Sequence, residues 1–261
     1  MSEASRTDQA HKAPEQLRRE AQEILEDIRS KDRLRTKDRM KIPQQDMPSQ
    51  DPAERRENMA EVTYGYFEEQ ALVEAERCLQ CANAPCIKGC PVAIDIPRFI
   101  KHITEQDYAG ALGVIRETSL LPAICGRVCP QESQCQLYCT LGKALKDKFQ
   151  SVSIGRLERY VADYGAEQGL TPTPEIKSET GKKVGVVGSG PASITAAADL
   201  RRAGHHVTMF EAFHKPGGVM VYGIPEFRLP KKIVEDEIQG LREMGVEIQT
   251  NFLIGRTRKL K

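Results

Sequence analysis

The chain has 261 residues with 38 basic and 37 acidic side chains, a net charge of +1, and 39% hydrophobic residues. So balanced a charge excludes a global field that would draw nucleic acid or an anionic membrane, and no apolar run reaches the 18 residues of a spanning helix. The polar N-terminus MSEASRTDQAHKAPEQ lacks the apolar core of a secretory signal, so the expectation is a soluble, cytoplasmic protein that binds neither nucleic acid nor membrane.

Leu17, Ala21, Ile24, Leu25 and Ile28 recur at helical spacing and predict an amphipathic helix from Glu15 to about Arg35. The stretch from Lys31 to Lys41 holds six basic and two acidic side chains, which reads as a solvated helix face. IPQQDMPSQDP, residues 42–52, cannot stay helical and reads as an extended arm. A short helix from Phe67 to about Leu79 then delivers Cys78 near its end. Asp95 followed by Pro97 signals a helix start, and a further helix carries Tyr108, Leu112 and Ile115 to about Thr118.

All eight cysteines fall into two quartets around these helices: Cys78, Cys81, Cys86, Cys90 and Cys125, Cys129, Cys135, Cys139. The first reads C-x2-C-x4-C-x3-C-P and the second C-x3-C-P-x4-C-x3-C, close variants of the runs that hold 4Fe-4S clusters in two-cluster ferredoxins. Thiolates are soft ligands suited to iron and sulfide. Disulfides do not suit a chain kept in a reducing cytosol. Structural zinc usually pairs two C-x2-C knuckles, and here only Cys78 and Cys81 form one.

In two-cluster ferredoxins the cysteine before proline ligates the other cluster. On that logic Cys90 crosses to the second centre, and Cys78, Cys81 and Cys86 are completed by Cys139. Cys90, Cys125, Cys129 and Cys135 remain for the second centre. Such crossing makes each cluster a folding element as well as a redox site.

The polar segment TPTPEIKSETGKK, residues 171–183, reads as a linker. After it, Val184–Val187 is an apolar run fit for a buried parallel strand, then come Gly188-Ser-Gly190-Pro191-Ala192-Ser193, a helix over residues 194–203, and a strand over 207–210 ending at Glu211. This is a dinucleotide fingerprint in a βαβ context. Gly188 permits the tight turn, Gly190 lets the backbone approach a pyrophosphate, and the helix N-terminus that Pro191 opens offers free N–H groups from Ala192 onward. Ser193 stands where a third glycine is usual. Glu211 is placed to bind ribose hydroxyls and reject a 2′-phosphate, which favours FAD or NAD over NADP. Gly217 and Gly218 open a loop able to fold over the same dinucleotide. A helix from Lys231 to Met244 and a strand over 246–250 follow.

With both modules read, the chain resembles the small (beta) subunit family of NADPH-dependent glutamate synthase. Its relatives include the large subunit of NADH-dependent ferredoxin:NADP oxidoreductase, the sulfide dehydrogenase flavoprotein subunit and the N-terminal part of dihydropyrimidine dehydrogenase. The matching residues are RCLQCANAPCIKGCPVAIDIPRFI, ICGRVCPQESQC, SIGRLERY, VGVVGSGPASITAAADL and GGVMVYGIPEFRLPK. The resemblance implies a helical domain with two 4Fe-4S clusters, then a Rossmann-like region binding FAD, then a second region accepting NAD(P)H. In some relatives a non-cysteine ligand from the segment matching SIGRLERY completes the second cluster, which implies Glu158 in that role with Cys125 a bystander.

The expected fold class is therefore an α-helical two-cluster iron–sulfur domain followed by an incomplete α/β Rossmann-like FAD-binding domain. The expected domains are an N-terminal helix and arm at 1–60, the iron–sulfur domain at 61–170 and the truncated Rossmann-like domain at 181–261. The resemblance implies an NAD(P)H oxidoreductase passing electrons through FAD and the clusters to a larger catalytic or ferredoxin-type partner subunit. No second glycine-rich turn appears, so the expectation is the N-terminal part of a longer polypeptide, inactive alone, with the NAD(P)H site in its C-terminal part. Alternatives are a bifurcating ferredoxin:NADP oxidoreductase subunit, a sulfide dehydrogenase subunit or a non-enzymatic assembly subunit. No catalytic side chain is invoked, and the five histidines show no metal-binding spacing.

Overall fold

The computed structural model describes residues 11–170 and 174–259, and divides the chain into two compact units, 1–168 and 169–261. The first residues of the linker, 171–173, lie outside the described residues.

The first unit is helical. Helix α1 spans Pro14–Arg29 and buries Leu17, Ala21, Leu25 and Ile28 of the stripe read from periodicity, with Ile24 half-buried. It stops six residues short of the expected end: the Ser30 N–H still makes the helical bond to the Glu26 carbonyl, but the Ser30 hydroxyl donates to the Asp27 carbonyl, a local alternative to continuing the helix. The basic run after it is therefore not one helical face. Only α2, Thr36–Arg39, is helical there, and Arg39 is tied to the carboxylate of Glu76 at 2.6 Å.

Helices α3 (Glu68–Glu76), α4 (Pro85–Gly89), α5 (Ile96–Thr104), α6 (Tyr108–Arg116), α7 (Pro122–Val128), α8 (Thr140–Ala144) and α9 (Ile154–Glu167) follow. Asp95 caps α5 by accepting from the Arg98 N–H, and Asp107 caps α6 by accepting from that of Gly110. Phe99, Ile100, Ile103, Leu112, Ile115 and Leu157 are almost wholly buried, so α5, α6 and α9 share one core.

The arm at residues 42–50 does not float. Glu74, fully buried on α3, accepts from the backbone N–H groups of Gln45 at 2.9 Å and Ser153 at 2.8 Å. It also pairs with Arg77 at 2.6 Å, whose other guanidinium hydrogens go to the carbonyls of Ile42, Gln150 and Ser151. An ion pair this deep persists because its remaining donors and acceptors are satisfied. It binds the arm and the approach to α9 to the residue immediately before Cys78.

The second unit holds a parallel sheet of β1 (Lys183–Val187), β2 (His206–Phe210) and β3 (Glu247–Gln249) in the order β1-β2-β3. Helices α10 (Pro191–Arg202), α11 (Val219–Tyr222) and α12 (Lys231–Glu243) connect the strands. Ile194, Ala197, Val207, Met209, Val234, Ile238 and Leu241 form its core. β1 is not the buried strand its apolar run suggests: it pairs with β2 alone, and Val187 is 64% exposed. Hydrophobicity reports what a strand can bury, whereas its position in the sheet decides what it does bury.

Candidate metal centres and dinucleotide turn

The eight cysteines form no disulfides. The structure draws four of them together across the quartets. The Cys78 thiol is pushed up to about 11 by burial, with the neighbouring thiols of Cys139 and Cys81 adding to the shift. Cys86 is pushed up to about 12, again by burial first and then by Cys78, Cys139 and Cys81. Cys78 leaves the end of α3, Cys86 lies on α4, and Cys139 is the residue before α8. Between them Gln80 and Ala84 adopt left-handed backbone conformations, at φ 49° and 23°, which non-glycine residues hold only where surrounding structure enforces them.

A second group gathers Cys90, Cys125, Cys129, Cys135 and Glu158. Burial pushes Cys135 up to about 12, with Cys90 and Glu158 contributing through charge and Cys86 of the first group contributing less. Cys90 reaches Cys135 because Gly89 lets α4 approach closely: a Cβ there would lie 3.1 Å from the Cys135 Cα. Cys125 and Cys129 lie close enough to act on each other, which raises the first thiol and lowers the second.

Glu158 sits on α9, 6% exposed, with its Oε1 buried and without a hydrogen-bond partner. Burial pushes its carboxyl up to about 8, with Cys129 adding. An orphaned buried carboxylate oxygen beside thiols is costly unless a cation or a proton satisfies it.

The donor set fits iron–sulfur clusters. Thiols that burial holds protonated become ligands once a positively charged core replaces their protons. The nearby backbone N–H groups of Gln80, Ile87 and Gln136 offset part of the upward shift at Cys78, Cys86 and Cys135. Among the described residues no three His, Cys, Asp or Glu side chains converge closely enough for a single metal ion. Ligands of a cubane bind separate irons and stand farther apart.

Around the second group, Arg127 on α7 and Arg159 on α9 share Glu61 and Asp163. Arg127 reaches Glu61 and Asp163 at 2.8 Å, and Arg159 reaches them at 3.1 and 3.2 Å. Both guanidiniums are nearly buried, and the carboxylates compensate them. This network fixes the helix carrying Cys125 against the helix carrying Glu158.

In the second unit, Gly188 adopts φ +88° at the end of β1, and Gly190 precedes α10, whose first turn holds Pro191, Ala192 and Ser193. Space is open where a side chain on Gly190 would project. Glu211 follows β2 and is 5% exposed; its carboxylate accepts from the Ser189 hydroxyl and, at 2.8 Å, from the Phe213 N–H. Ser189 in turn accepts from the Gly217 N–H at 2.9 Å. Gly218 packs directly on the first turn: a Cβ there would lie 2.9 Å from the Gly190 Cα, and its φ of +55° suits glycine. The two glycine pairs and Glu211 thus meet around one side chain, Ser189. Sequence reasoning passed over Ser189 because it fills a variable position of the fingerprint, and over Glu74 and Arg77 because nothing in the pattern marks a buried ion pair.

Residues 55–170 match the family model "dihydropyrimidine dehydrogenase domain II, 4Fe-4S cluster", and residues 186–229 match "NAD(P)-binding Rossmann-like domain". The glutamate synthase [NADPH] small chain of Azospirillum brasilense is 37% identical over 217 residues, 83% of this chain and 44% of that one. Over most of its own length the chain is similar to the glutamate synthase small chains. That of Escherichia coli K12 is 36% identical over 206 residues, 79% of this chain and 43% of its own length. The NAD-dependent dihydropyrimidine dehydrogenase subunit PreT of Salmonella typhimurium is 38% identical over 200 residues, 77% of this chain and 47% of that one. The chain therefore spans a little under half the length of these relatives. It carries a 4Fe-4S domain followed by a Rossmann-like dinucleotide domain, and among the described residues no helix is long and apolar enough to cross a membrane.

Proposed function

We propose that this chain is the electron-transfer part of an NAD(P)H oxidoreductase of the glutamate synthase small-chain type, with two 4Fe-4S clusters and FAD. Cys78, Cys81, Cys86 and Cys139 hold one cluster. Cys90, Cys129 and Cys135 hold the other, completed by Glu158. FAD lies at Gly188, Gly190, Pro191, Ala192 and Ser193, with Glu211 toward its ribose and Gly217 and Gly218 over the turn. When bound, the flavin supplies conversion of a two-electron hydride from NAD(P)H into single electrons for the clusters. The residues of this chain bind, orient and insulate.

The observation that carries the reading is the regrouping of the quartets, in which Cys139 joins the first three cysteines and Cys90 joins the late ones. One metal-free explanation, a core of inert thiols, leaves the Glu158 oxygen without purpose. Glu158 is preferred over Cys125 because its buried Oε1 has no hydrogen-bond partner beside these thiols.

The partner is a larger subunit that receives single electrons, in keeping with relatives named as a small chain and as a subunit. Anaerobically purified or reconstituted protein is expected to hold about eight irons and eight sulfides per chain, with bound FAD, and the full-length gene product to reduce a dye with NAD(P)H. Protein that stays colourless and iron-free, or binds no flavin, defeats the proposal.

A further inference from the structure

We infer that Lys231 is a positioning residue for the dinucleotide turn: its ammonium holds the segment 219–229 down so that Gly217 and Gly218 stay against Ser189 and Gly190. The inference rests on the reading of that turn as the flavin site.

Lys231 is the first residue of α12. A cation there opposes the positive end of the helix dipole, so the location is unfavourable on local grounds. Its side chain turns away from the helix instead. Nζ donates to the carbonyls of Met220, Ile224 and Leu229 at 2.9, 2.5 and 3.1 Å. An ammonium has three hydrogens, and here each has a carbonyl. The Met220 carbonyl belongs to the last turn of α11, which has no helical partner of its own. The Lys231 backbone N–H is taken by Glu226, which closes the same loop from the other side.

The segment is thereby pinned at both ends. At its start, Gly217 donates to Ser189 and Gly218 abuts Gly190; at its finish, Lys231 gathers its carbonyls. Few side chains between them help. Met220 and Leu229 are buried, but Val219, Tyr222 and Phe227 are 59%, 44% and 41% exposed. The ammonium ties the carbonyls of the segment to the start of α12, while Val234 of that helix packs beside Gly217. A residue that breaks a local preference and satisfies every donor elsewhere marks a constraint imposed by tertiary structure.

The test uses Lys231→Met and Lys231→Arg in the full chain. Amide hydrogen exchange over residues 217–229 is expected to speed up about tenfold or more in Lys231→Met, with α3 unchanged. The FAD dissociation constant is expected to rise by about tenfold, and Lys231→Arg, with five guanidinium donors, to recover most of both. Unchanged exchange in Lys231→Met overturns the inference, and so does faster exchange with undiminished FAD affinity. If the unaltered protein binds no FAD, the flavin reading falls, while the exchange result still decides whether Lys231 holds the segment.

Discussion

Gly126 on α7 meets the backbone of Arg159 on α9: a Cβ at position 126 would lie 2.6 Å from the Arg159 nitrogen. Two helices touch backbone to backbone where one carries Cys125 and the other Glu158.

Gly126→Ala must push these helices apart, since backbone cannot yield as a flexible side chain can. The expected outcome is selective loss of the second cluster, with iron falling from about eight to about four per chain. Iron and sulfide analysis with low-temperature paramagnetic resonance checks it; retention of both clusters would show that the contact is not needed.

Glu158→Ala and Cys125→Ser separate the two ligand assignments. Glu158→Ala is expected to leave about four irons per chain, and Cys125→Ser to keep about eight. The reverse pattern would make Cys125 the ligand.

Arg77→Met strands the fully buried Glu74 carboxylate without its cation. Breaking a buried pair from one side costs about 3–5 kcal/mol. Urea unfolding should show a loss of that size, and Glu74→Gln, which keeps acceptors for Gln45 and Ser153 on only one side, should also lose stability. A change under about 1 kcal/mol, the scale of a surface pair, would refute the assignment.

The iron-free protein should lose stability in alkali. Cys78, Cys86 and Cys135 are raised in the folded state from an ordinary thiol value of 9.0 to about 11, 12 and 12, chiefly by burial. A group raised on folding binds its proton more tightly when folded, so its contribution is complete below pH 9 and is lost as pH climbs through the folded values. The unfolding midpoint of iron-free protein is expected to fall between pH 9 and 11. Cluster-loaded protein, whose sulfurs no longer carry those protons, should show a weaker dependence over the same range.

Much of the candidate site could be proposed from the chain because short-range spacing carries it. The cysteine intervals, the Asp95 cap and Gly188 to Glu211 are all set within about 25 residues, where turn geometry and helical repeat leave few alternatives. The expected strands and the α12 helix match the structure to within one residue or so at most ends for the same reason. The α1 boundary was misread because a single hydroxyl, Ser30, competes with one more helical turn, and periodicity does not register that.

Taken alone, the sequence marked the candidate ligands and their local frame: eight thiols in two quartets, a glycine turn and the helices beside them, with a carboxylate implied by resemblance. The tertiary structure decided the company they keep. It left one Glu158 oxygen partnerless, tied Ser189 to Glu211 and Gly217, and sent Lys231 to three carbonyls of a preceding loop. Spacing encodes local geometry through a fixed backbone, whereas burial and long-range hydrogen bonding depend on which distant surfaces pack together, and only the folded chain supplies those surfaces.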